Sequence, residues 1–274
     1  MSQMSPQATA DPLQRPIGNE PSQELRIVNP DPRYSKVRQI EPTTLGYLYV
    51  AATVRPGPIP LVLPSVDRSS LLVRLKELAR GLERLDAVVK ATVFRALVIP
   101  PTARLNAYLR ERGTSVRVPR FDVVVLVETT SPEATRDVQA APAYDALMDA
   151  LRSNAEAVQV IAARNAKRIG DVDKSRQGLF LFNHFVADDA SVGLALWDYL
   201  ADWFAVETGL DNSILLVPLD GERSTYAFVN HARWDVSLPQ FLWHQLSKKS
   251  FRSYVLANLE ANRVGSLPVL YRLA

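Results

Sequence analysis

The stretch Leu179-Phe180-Leu181-Phe182-Asn183-His184-Phe185-Val186 decides the fold. It reads as a strand, and it is apolar on both parities: Phe180 and Phe182 point one way, Leu181 and Phe185 the other. Residues 121–127 share this character. A sheet made of such strands has to be covered on both faces.

The elements around this strand repeat in order. Residues 45–54, rich in aromatic and β-branched side chains, read as a strand. Leu71, Leu72, Leu75, Leu78, Leu82 and Leu85 recur at helical spacing. Strands follow over 88–99 and 121–130, with a short helix between them over 102–112 that stops at Gly113. A helix over 143–151 and a strand over 157–164 complete a β-α-β-β-α-β unit. After a polar stretch over 165–178 the order begins again: strand 179–186, helix 190–208 ending at Gly209, strand 213–219, the hairpin signal Asp220-Gly221, strand 225–234, helix 239–261 and strand 267–273. The reading is α+β: two ferredoxin-like halves, over 44–164 and 179–274, joined by a linker over 165–178 and packed sheet to sheet as a fused α/β barrel.

Residues 1–43 differ from the rest. Pro6, Pro12, Pro16, Pro21, Pro30, Pro32 and Pro42 punctuate a stretch without apolar periodicity, which reads as a disordered arm. The sharper reading is an arm that wraps a neighbouring subunit through Leu25, Ile27, Val28 and Tyr34. A fused chain can complete its barrel alone, so a monomer and a homo-oligomer both fit.

Composition narrows the chemistry. The 274 residues contain no cysteine, which excludes disulfides, thiolate metal sites and cysteine nucleophiles. With 32 Lys+Arg against 29 Asp+Glu the net charge is only +3, and the basic stretches carry no interleaved aromatics, so nucleic acid is not an expected partner. No apolar run reaches bilayer length and the N-terminus has no apolar core of a secretion signal; a cytoplasmic protein without a membrane partner is expected. There is no glycine-rich phosphate loop and no nucleophile elbow. The three histidines, His184, His231 and His244, show no metal-ligand spacing, so no metal site is expected.

Three features of the second half carry a resemblance. They are Asn183 in its opening strand, the run Ala232-Arg233-Trp234-Asp235 followed by Trp243, and the helix segment Leu246-Ser-Lys-Lys-Ser-Phe-Arg-Ser-Tyr254. Together with the element order they resemble the dimeric α/β-barrel superfamily in its tandem form, and within it the antibiotic-biosynthesis and haem-degrading monooxygenases. The resemblance implies a monooxygenase-like enzyme acting on an aromatic or polyketide-like small molecule, with Asn183 and Trp243 at the site. The haem-degrading enzymes' histidine would fall near Val255, where this chain has none. Length and layout also resemble chlorite-dismutase-like proteins, which implies haem held by His184, His231 or His244. Catalysis without a cofactor is the other expectation, and a non-catalytic ligand-binding or assembly protein the third reading.

Parity sorts the remaining candidates. Asn183 shares a face with Phe185, and analogy with these families turns that face into the barrel, leaving His184 under the helices. Tyr226, Phe228, Asn230 and Trp234 share one face of their strand and are the expected substrate contacts, together with Phe185. His231 and Arg233 share the other face and are the expected proton-transfer and anion-binding pair.

Overall fold

The computed structural model describes residues 24–274 apart from 35, 56, 112–117 and 119. The expectations for residues 1–23, and for the stop at Gly113, lie outside the described residues. The first half contains β1 (Gly46–Thr53), α1 (Val66–Leu82), β2 (Val88–Val98), α2 (Ala103–Glu111), β3 (Val123–Thr129), α3 (Ala134–Gln139), α4 (Pro142–Arg152) and β4 (Ala157–Gly170). The second contains β5 (Leu179–Ala187), α5 (Ala190–Thr208), β6 (Ser213–Pro218), β7 (Phe228–Trp234), α6 (Leu238–Leu246), a π-helical turn (Phe251–Leu256), α7 (Ala257–Ala261) and β8 (Val264–Leu273).

Each half has the ferredoxin-like strand order, β4-β1-β3-β2 and β6-β7-β5-β8, with every pairing antiparallel. The halves also share their edges. β2 pairs with β8 and β4 with β6, closing one eight-stranded barrel. Closure removes every exposed strand edge and explains the double-sided hydrophobicity. Tyr47, Tyr49, Phe94, Phe180, Phe182 and Tyr271 fill the lumen. The outer face of the first half packs Val50, Val125 and Val127 under Leu75, Leu82 and Leu147 of the helices. The outer face of the second packs Leu181, Phe185 and Phe228 under Leu196, Trp197 and Leu259.

Local rules place α5. Asp189 caps its first turn, accepting from the Ser191 and Val192 amides, and Gly209 ends it at φ 69°. Gly193 lets the helix approach the sheet: a Cβ there would stand 2.8 Å from the Phe228 ring.

Several elements differ from the sequence reading. β4 continues to Gly170, so the crossing between the halves is only 171–178. The helix expected over 239–261 is broken: the Ser247 hydroxyl donates to Trp243 O and the chain resumes as a π turn. α3 carries too few apolar residues for periodicity to reveal it. β7 begins at Phe228, leaving Tyr226 in the preceding loop.

Residues 24–34 and 36–43 form a strap on their own chain. Asn258 and Asn262, one turn apart, each clasp one residue of the extended backbone. Asn262 accepts from Arg26 N (2.8 Å) and donates to Arg26 O (2.7 Å); Asn258 does the same for Val28, at 2.8 Å both ways. Tyr34 is buried against Tyr254, with ring centroids 4.7 Å apart. Val37 N donates to Asp202, and Thr43 N to Asn165. The disordered-arm reading is therefore corrected for these residues: side-chain amides and carboxylates pair backbone that has no strand partner. Leu25, Val28 and Tyr34 are anchors on the chain's own second half.

Candidate functional site

The facing of β5 is the reverse of the expectation. His184 points into the barrel and Asn183 points under the helices. Apolar side chains on both parities left this choice undetermined by hydrophobicity. Polar partners settle it. Leu267 O accepts from His184 Nδ1 (3.1 Å), which leaves Nε2 to accept from the Tyr49 hydroxyl (2.5 Å). Both partners lie on the luminal side, and His184 is fully buried.

His231 is also in the lumen and fully buried. Its Nδ1 donates to Leu181 O (3.0 Å), and Phe182 stacks on its ring at 4.1 Å. Nε2 is enclosed and has no hydrogen-bond partner among the described residues. Burial holds both imidazoles neutral: His184 is lowered to about 4, and His231 to about 3 with help from the nearby Lys174 charge. Arg233 lies at one end of the lumen, bonded to Asp235 (2.5 and 3.1 Å) and Gln177 O (2.9 Å). Both Nη groups are thus committed, while Nε is enclosed without a hydrogen-bond partner among the described residues.

The expected substrate contacts divide. Tyr226 enters the lumen, its ring 4.9 Å from that of His184. Phe228, Asn230 and Trp234 lie on the helix-covered face with Phe185 and Asn183. Trp234 donates to Thr208 Oγ1 (3.1 Å) and packs on Phe241, as a core side chain does. Trp243 is 72% exposed on α6, away from both groups, and His244 follows it on the half-exposed part of the same helix.

What gathers around Asn183 is a polar row in an apolar layer. Asn230 stands opposite it in register on β7. Asn230 Oδ1 accepts from Trp197 Nε1 (3.0 Å) and Ser213 Oγ (2.6 Å) and is satisfied. Asn183 is half-buried, and its Oδ1 is enclosed without a hydrogen-bond partner among the described residues. Leaving such a group unpaired costs about 1–3 kcal/mol. Phe185 and Phe228, stacked at 4.7 Å, stand beside it. Trp197 and Ser213 are the members sequence reading missed, since a tryptophan on an amphipathic helix and a lone serine carry no signal of their own.

The histidines bear on haem. His184 has both ring nitrogens engaged, and His231 presents its free nitrogen to packed aromatic rings. Neither fits as an axial ligand to a haem iron without opening the barrel core. Two cavities, of about 510 and 370 Å³, lie where residues 171–178 cross the barrel end, and neither is lined by a histidine. Among the described residues, no group of three or more His, Asp or Glu could hold a metal ion, and no helix is long and apolar enough to cross a membrane.

Solved structures share this architecture. An anthrone oxidase-like protein superposes with a TM-score of 0.57 at 12% identity, over 88% of this chain and 93% of its own. The chain has the tandem dimeric α/β-barrel fold. A monooxygenase candidate from Fusobacterium nucleatum has the same barrel at TM-score 0.50 and 9% identity, over 84% of this chain and 91% of that one. A chlorite dismutase candidate, at 11% identity over 85% and 95%, reaches only 0.46, too loose an overlap to bear on a cofactor. No protein-family model and no curated protein matches the sequence. At these identities the dimeric α/β barrel fixes the architecture, and the site has to be argued from its own residues.

Proposed function

We propose that this chain is a monooxygenase-like enzyme for a small aromatic or polyketide-like molecule, working on the helix-covered face of its second sheet. The observation that carries the reading is the unpaired Asn183 amide between Phe185 and the Asn230 row. An amide oxygen enclosed in an apolar layer is suited to accept the hydrogen bond of a phenolic or enolic hydroxyl and so to orient the substrate. The likeness in fold to an anthrone oxidase-like protein supports this class of substrate. In such a reaction a methylene carbon loses two hydrogens and gains one oxygen atom of dioxygen; the second oxygen atom leaves as water. The substrate itself supplies the electrons, so no cofactor is required.

The test is oxygen uptake with anthrone, comparing the native chain with Asn183→Leu. The variant is expected to lose at least tenfold in kcat while its melting temperature stays level or rises, because the unpaired amide is gone. An Asn183→Leu chain as active as the native one would remove Asn183 from the reaction. Absence of uptake by the native chain with anthrone and related phenols would favour a non-catalytic ligand-binding or assembly protein. The lumen packed with aromatic side chains supports that second reading.

A further inference from the structure

A second polar site lies at the end of the barrel, away from Asn183. β4 and β5 stand three places apart in the ring, so residues 171–178 have to cross the barrel end to join them. Val172 drops into the luminal cluster. Lys174 also turns inward: Nζ lies 3.2 Å from Glu128 Oε1 and 2.9 Å from Val172 O. The two charged side chains are only 12% and 10% exposed. Above them opens the cavity of about 510 Å³, a size suited to a small organic ligand. Leu45, Tyr47, Val172 and Ile214 form its apolar side, and Arg168 and Asp171 stand at its rim.

A buried ion pair is a poor device for stability, since apolar side chains of the same volume do as well. The bonding capacity left over points to a ligand instead. Lys174 donates to Val172 O and is ion-paired with Glu128, which leaves it at least one further proton to give. Arg168 gives Nε to Glu41 O and Nη1 to Asp171, which leaves Nη2. Glu128 retains Oε2. The cavity therefore offers donors on two cations and an acceptor on a carboxylate. A simple anion there meets the Glu128 charge, and a simple cation meets Arg168 and Lys174. A molecule carrying both charges satisfies all three.

We propose that this cavity binds a small zwitterion of the α-amino-acid class with an apolar side chain. The carboxylate lies at Arg168 and Lys174, the ammonium at Glu128, and the side chain against Tyr47, Val172 and Ile214.

Calorimetric titration of the full chain with L-phenylalanine, N-acetyl-L-phenylalanine and L-phenylalaninamide tests this. The zwitterion is expected to bind at least tenfold more tightly than either singly charged compound. Glu128→Gln, which keeps the volume and a hydrogen bond to Lys174, is expected to bring L-phenylalanine down to the level of the acetylated compound. Arg168→Met, compared with the native chain by thermal melting to confirm that it folds, is expected to bring it down to the level of the amide. Equal affinities for the three compounds, or no heat from any of them at millimolar concentration, would overturn the proposal.

Discussion

The two halves share one topology and differ in what lies under their helices. Beneath α1 and α4 the layer is almost wholly aliphatic, with Val50, Val125 and Val127 meeting leucines. Its charged network sits at the margin. There Asp122, fully buried, accepts from Val54 N (2.7 Å), Arg55 N (3.1 Å) and Arg68 Nη1 (3.1 Å). Beneath α5 and α7 the layer is aromatic and contains the Asn183–Asn230 row, and the strap of residues 24–34 and 36–43 adds a third layer outside it. The enclosed unpaired atoms differ in kind as well: in the first half they include the Thr53 and Thr92 hydroxyls, and in the second the Asn183 amide oxygen, His231 Nε2 and Arg233 Nε. The two luminal histidines follow the same division, both standing on strands of the second half.

Acid should expose that division most strongly. His184 and His231 titrate at about 4 and about 3 when folded, below the ordinary histidine value of 6.5. The unfolded chain therefore takes up more protons, and stability falls as pH drops from about 6.5 toward 4. Each histidine contributes a slope of up to about 1.4 kcal/mol per pH unit. Urea unfolding across this window should report nearly two protons for the native chain and about one for His231→Phe. An unchanged slope in the variant would place the acid sensitivity elsewhere.

The first half should break at its margin. Asp122→Ala leaves Arg68 buried without its partner and two backbone amides without an acceptor; a loss of about 3–5 kcal/mol is expected in the same unfolding experiment. A loss below 1 kcal/mol would show that water replaces the carboxylate there.

Asn258→Ala sharpens the comparison at the strap. It removes both bonds to Val28 and should cost about 1–3 kcal/mol. Hydrogen exchange should speed up at the Val28 and Arg26 amides and not in the strands of the barrel. Protection that survives at Val28 would show that the strap is held by Tyr34 and Val37 rather than by the asparagine clasp.

The smallest effect is expected at Trp243. The side chain is 72% exposed, and Trp243→Ala should change stability by no more than about 0.5 kcal/mol. It should leave oxygen uptake unaltered. A large loss of uptake would return this helix to the site.

Much of the molecule was legible in the sequence. The order of strands and helices, the duplication and the need to cover both sheet faces all follow from short-range periodicity, which side-chain hydrophobicity writes directly. Asn183 also stood out, as an amide in a strand whose neighbours cannot pair it. Three matters were decided only by tertiary structure. The facing of β5 depended on Tyr49 and Leu267, from strands distant in sequence, because apolar residues on both parities carry no direction. The order in 24–34 and 36–43 depended on Asn165, Asp202, Asn258 and Asn262, since a proline-rich segment has no periodicity of its own and takes its hydrogen bonds from whatever it lies against. The cavity at the barrel end depended on ring closure, which sends residues 171–178 across the opening and brings Lys174 onto Glu128. Local sequence sets what each segment can be; closure of the barrel sets which face of it meets solvent, core or ligand.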